Sequence, residues 1–285
     1  MKRHSIAYIP LLFPTMSRYL SIILAVAALA LSTSSCGEYQ RVLKSNDPDY
    51  HLDFAKRAFE EKKYTQAATA LENIPQMFKG SEKAEDALYL LALSNYENTD
   101  YETAGTYFRQ YYTRYPKGKH AELSRFYCGY GYYLDSPEPQ LDQSGTLKAI
   151  NELQDFLDNF PRSDKVSIAQ NAIFELQDKL TLKQLENAQL YYNLGTYLGN
   201  NYESAIIVAK NAIKDYPYSK YKEDLELLIL KARYQEAKES IPEKKAERYA
   251  DVVDEYYSFI NNYPDTPNRQ EADNIFKIAS RYVKE

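Results

Sequence analysis

Asp100-Tyr101-Glu102-Thr103-Ala104, closed fourteen residues after the tyrosine by Tyr115-Pro116, is a phrase that recurs along the chain. Asn201-Tyr202-Glu203-Ser204-Ala205 ends in the same way at Tyr216-Pro217. Thr146 and Ala149 lead to Phe160-Pro161, and Tyr249 and Val252 lead to Tyr263-Pro264. Tyr64, Ala67 and Phe78 keep the same spacing, so five segments share one register, their starts 37, 45, 56 and 47 residues apart. Each segment reads as a helix. Asp100 and Asn201 stand as capping residues before a first turn that carries an acid. The small residue three positions after the start lets a neighbouring helix approach. The aromatic-Pro step disfavours helix for the aromatic residue and ends the run.

Upstream of these segments lie other amphipathic runs. Residues 84–96 put Leu88, Leu91 and Ala92 on one face, and residues 225–237 do the same with Leu228, Ile229 and Ala232. Two helices repeated at intervals of about 34 residues make a tetratricopeptide pattern. The longer intervals here call for longer helices or loops. Ser136–Ser144, with Pro137 and Pro139, reads as a loop. Residues 166–198 carry no proline break and read as one long helix followed by another. The expected fold is therefore an all-α tetratricopeptide-repeat solenoid of about five helix pairs, with a continuous core and a concave groove.

Composition agrees. The 285 residues include 29 Tyr and 11 Phe but no Trp, and few glycines or prolines. The formal charge is −5. The first 35 residues hold Lys2, Arg3 and Arg18 and no acid, which leaves 32 basic against 40 acidic side chains beyond them. A net-acidic chain without a basic stripe is a poor nucleic-acid binder, and that class is set aside.

The N-terminus reads as an address. Arg18 precedes an apolar run over residues 19–31, too short to span a bilayer, which needs about 20 apolar residues. Ser32-Thr33-Ser34-Ser35 follows, and together these make a secretory signal peptide over residues 1–35, with Met16 as an alternative start. The segment ends in Cys36-Gly37, which resembles the lipobox of bacterial lipoproteins, with Thr33 where leucine is commonest. The resemblance implies a lipid on Cys36, and several acyl chains make anchoring effectively permanent. Cys128 lies among Phe126, Tyr127 and Tyr130 and reads as a small buried apolar residue.

Enzyme signatures are missing. Beyond residue 35 only His51 and His120 remain, with neither HExxH nor a Cys/His cluster, so zinc is unsupported and no cofactor is expected. No GxSxG elbow occurs. Pro116-Lys117-Gly118-Lys119 reads as the turn after a helix. The tyrosines suit either a core or an interface, where Tyr is a rigid amphipathic anchor. Tyr89, Tyr96, Tyr127 and Tyr130 are the candidates for lining a substrate groove.

Signal, lipobox and five repeats resemble the BamD family of lipoproteins, the tetratricopeptide subunit of the outer-membrane barrel assembly machinery. Specific echoes are Ala55-Lys56 with Tyr64 and Ala67, Asp142-Gln143-Ser144 followed by Phe160-Pro161-Arg162-Ser163, and Leu185, Ala188 and Tyr191-Tyr192. Gln184 stands where the family carries Glu. The resemblance implies a non-enzymatic protein on the periplasmic side of the outer membrane. Its partners would be unfolded outer-membrane β-barrel proteins at the N-terminal repeats and the central barrel-forming subunit at the C-terminal repeats. The expected organisation is a lipidated tether over residues 36–48, repeats 1–3 over 49–165 and repeats 4–5 over 166–285. Two other readings are another periplasmic tetratricopeptide scaffold of the cell envelope, and a glycan-binding lipoprotein, a class that normally carries Trp platforms and large inserted loops.

Overall fold

The computed structural model describes residues 37–78 and 81–283; the expected signal peptide and Cys36 lie outside them. Every regular element among the described residues is helical. After a short helical turn over 37–43 come α1 (Pro48–Glu60), α2 (Tyr64–Leu71), α3 (Ile74–Met77) and α4 (Glu82–Glu97). They are followed by α5 (Tyr101–Arg114), α6 (Ala121–Leu134), α7 (Ser144–Asn159) and α8 (Val166–Leu194). Last come α9 (Asn201–Asp215), α10 (Lys222–Lys238), α11 (Pro242–Asn262) and α12 (Arg269–Ala279). The chain divides into two compact units at Tyr107/Phe108.

In the first unit, α1 packs on α2, and both pack on α4. The core gathers Leu52, Phe54, Ala55, Ala67, Leu71 and Leu91. Part of the expected tether joins it: Val42 is fully buried there and the Tyr39 ring stacks on Phe54 at 5.9 Å. Asp47 caps α1 by accepting from the Asp49 and Tyr50 amides. The two ring nitrogens of buried His51 lie 2.8 Å from the Ala70 carbonyl oxygen and 3.0 Å from that of Ser45. The segment from Tyr64 to Phe78 is not one continuous helix. It breaks into α2 and the single turn α3, because Pro75 in the first turn of α3 has no N–H to carry the ladder through.

In the second unit α6 pairs with α7, α8 with α9, and α10 with α11, while α12 packs on α10 and α11. The first helices also touch their successors, α6 on α8, α8 on α10 and α10 on α12; among the described residues no such contact joins the second helices α7, α9 and α11. First helices thus form one layer and second helices the other, which is the tetratricopeptide arrangement. Helix α10 shows what that costs in sequence. Its Leu225, Leu228, Ile229 and Ala232 enter the core shared with α9, while Leu227, Leu230 and Ala237 enter the core of α11 and α12. A helix with a layer on each side buries apolar residues on more than one face, and on α10 the remaining surface carries Glu226, Lys231 and Arg233.

The fourteen-residue phrase is a packing device. Its small residue, Ala67, Ala104, Ala149, Ala205 or Val252, is at most 1% exposed in all five places. At the helix ends Phe160, Tyr216 and Tyr263 adopt nearly the same backbone, φ −131, −131 and −132°. Each aromatic carbonyl, with that of Tyr115, accepts from the amide three residues on, at 2.9 to 3.3 Å. The turn then caps itself: Ser163, Ser219 and Thr266 hydroxyl oxygens accept from the amides of Lys165, Tyr221 and Asn268. Asp100 caps α5 through the Thr103 amide, as its position predicts. For α9 the cap is Asn200 rather than Asn201, which instead donates back to the Tyr197 carbonyl. The predicted long helix over 166 onward is α8, ended by Gly195 at φ +56°.

Candidate functional site

Tyr89 and Tyr96 sit half-buried on α4, and Tyr96 meets the Tyr101 ring edge-on at 5.3 Å. Tyr127 and Tyr130, on α6, are built into an aromatic ladder. Tyr127 stacks on Phe108 at 5.7 Å, and Tyr130 stacks on Phe126 at 5.1 Å and leans on Tyr133. These two rings therefore stiffen α6 and keep only part of their surface for a ligand. Sequence spacing does not distinguish a ring used in this way from one facing solvent.

A polar cluster lies beneath the ladder. Glu152 on α7 is buried and accepts from the Arg109 guanidinium and from the Tyr112 hydroxyl. The Arg125 guanidinium lies over the Tyr112 ring, 4.3 Å from its centre. Burial pushes the Cys128 thiol well up, with the Glu152 carboxylate adding to it, so the thiolate is scarce and Cys128 is an unreactive core residue.

Three troughs of the second unit lie at the contacts between successive first helices. The first, about 570 Å³, is bounded by the end of α6, the loop after it, α8 and the turn before α10. Tyr133, Glu175, Lys179 and Tyr221 line it. Tyr133 donates to Glu175 at 2.5 Å, and that bond, with burial, raises its phenol to about 12. Burial lowers the Lys179 pKa, and its ammonium donates to the Ser136 carbonyl and hydroxyl. Lys183 reaches the Leu141 carbonyl and Gln140 reaches Glu186, so the predicted loop is strapped onto α8. The second trough, about 520 Å³, runs between α8 and α10, with Leu185, Leu190, Leu227 and Leu228 as its apolar surface and Asp224 and Lys231 at its edge. The third, about 460 Å³, lies between α10 and α12 and includes Tyr234, Glu271 and Ile278. Tyr127 and Tyr130 line none of these three. The troughs escaped sequence reasoning, although the apolar positions 182, 185 and 190 on α8 were a usable signal.

Among the described residues no group of His, Cys, Asp or Glu is placed to hold a metal ion, and no helix is long and apolar enough to cross a membrane. Stacked helix pairs with troughs between their first helices define a tetratricopeptide-type scaffold, a class that works by binding other proteins. Comparison with known families narrows this. The model of the family described as YfiO, outer membrane lipoprotein, matches residues 47–199, and the chain belongs to this family, which is the BamD family. No curated protein matches the chain. Among solved structures, the TPR2AB-domain:pHSP90 complex of yeast Sti1 is 15% identical, with a TM-score of 0.38 over 82% of this chain and 98% of that one. The helix pairing itself, not this likeness, defines the fold.

Proposed function

We infer that the protein is the lipoprotein subunit of the outer-membrane barrel assembly machinery. Lipid on Cys36 holds it to the periplasmic face of the outer membrane. The N-terminal repeats receive unfolded outer-membrane proteins, with Tyr89, Tyr96, Tyr127 and Tyr130 offering aromatic edges and polar tips to an extended segment. The C-terminal repeats dock on the central barrel-forming subunit. Turnover comes from weak, reversible contacts and not from bond chemistry. The observation that carries this reading is membership of the outer membrane lipoprotein family across residues 47–199. The layered helix pairs, which leave troughs at the junctions of first helices, support it.

In-cell photo-crosslinking tests it. A photoreactive amino acid at Tyr96 or Tyr130 is expected to capture nascent barrel proteins. The same group at Tyr218 or Tyr257, which are 85% and 51% exposed, is expected to capture the central subunit. Recovery of only peptidoglycan enzymes or glycan transporters would reassign the scaffold to another envelope task.

A further inference from the structure

The trough between α8 and α10 carries three features that internal packing leaves unused. First, Leu190 is 58% exposed at its wall, and Leu194 one turn on is 40% exposed. Exposed apolar side chains grouped on one helix face mark an interaction surface. Second, Asp224 has no hydrogen-bond or ion-pair partner among the described residues. Its position in the first turn of α10 places it at the favourable end of the helix dipole. The residue is exposed, yet the packing around its carboxyl and then the like charge of neighbouring Glu223 raise its pKa. An approaching cation offsets the repulsion from Glu223 and gives the carboxylate a partner. Third, the lining of this trough is net acidic: it presents Glu186 and Asp224 against Lys231, and Lys231 already pairs with Glu271 on α12.

We propose that the α8/α10 trough is a docking site for a basic amphipathic helix of a partner protein. Its apolar ridge packs on Leu190 and Leu185, above the floor that buried Leu227 and Leu228 form, and a lysine or arginine beside that ridge pairs with Asp224. A trough between two packed helices accepts the side-chain ridge of a third. The surplus of carboxylates selects a basic partner and disfavours an acidic one. The proposal rests on the reading of this layer as a protein-docking surface, not on which envelope protein docks.

The test uses the full chain in detergent and a fluorescein-labelled stapled helix, with leucines on one ridge and lysines beside it. A twin helix carries glutamates in place of the lysines. The lysine helix is expected to bind and the twin to bind weakly. Asp224→Asn is expected to weaken the lysine helix about tenfold. Asp224→Lys is expected to transfer preference to the twin, and Leu190→Glu to abolish binding of both. Both side chains are exposed, so all variants should melt like the parent. Binding unchanged in Leu190→Glu, or a preference for the twin in the parent, overturns the proposal. A parent dimer that Leu190→Glu dissolves also overturns it, by assigning the trough to a second copy. If the crosslinks at Tyr218 and Tyr257 capture the central subunit while the lysine helix fails to bind, only the trough's assignment falls. If the helix binds and no envelope partner is captured, the trough stands and the assembly reading falls.

Discussion

Glu152 accepts from Arg109 and Tyr112 with little access to water, so removing its carboxylate leaves a guanidinium and a hydroxyl without their acceptor. Arg109 keeps part of its surface in solvent, which moderates the loss. Glu152→Ala is expected to lower the unfolding free energy by about 2–3 kcal/mol, read from urea midpoints, and Glu152→Gln by less. A change within about 0.5 kcal/mol for the alanine variant, the range of ordinary surface substitutions, would show that solvent replaces the lost bonds. Glu152 was not legible in the sequence. It lies on a helix with other polar side chains, and only the approach of α5 from 40 residues away makes it a buried acceptor.

Gly129 shows how element packing constrains a single position. It faces α7, and a Cβ there would stand 2.9 Å from the side chain and the backbone nitrogen of Leu153. A side chain can turn away but the backbone of α7 cannot, so α6 and α7 would have to separate. Alanine is the better helix former by about 1 kcal/mol, yet Gly129→Ala is expected to destabilise by about 1–3 kcal/mol. Gly145→Ala, in open space on α7, is the control and is expected to be neutral or stabilising. Thermal melts of the two variants settle the comparison, and equal melting temperatures would mean that the two helices move apart freely. The aromatic-Pro turns are the most legible part of the chain at this scale. Proline acts on its immediate neighbour, so the same backbone recurs at Phe160, Tyr216 and Tyr263 whatever packs around them.

For the whole molecule, the proposed anchor makes one prediction. Cys36→Ser is expected to move the protein from the washed membrane fraction to the soluble periplasmic fraction, because acyl chains and not the helix pairs hold it there. Retention of the variant in carbonate-washed membranes would mean that protein contacts suffice. The proposed anchor lies in the stretch that reads as an address, and the proposed docking surfaces lie in the helix pairs, so mutation can test the two separately.

Taken alone, the sequence determined most of the helices, the aromatic-Pro stops after α5, α7, α9 and α11, and the repeat register, because these rest on signals close together in the chain; the break between α2 and α3 and the Asn200 cap were not read from it. A period of 3.6, a buried small residue at a fixed offset and a proline after an aromatic all act locally. Only the tertiary structure decided which apolar faces stay uncovered. Leu190 and Leu176 sit on the same helix, yet one is 58% exposed and the other 1%, because exposure depends on whether a later helix arrives to cover the site. The same holds for Tyr127 and Tyr130: only the folded chain shows that Phe108 and Phe126 cover part of each ring and leave the rest for a ligand. Asp224 is the third case: a first-turn acid looks like a partner for the helix dipole, and its lack of any other partner appears only when α8 is folded beside it.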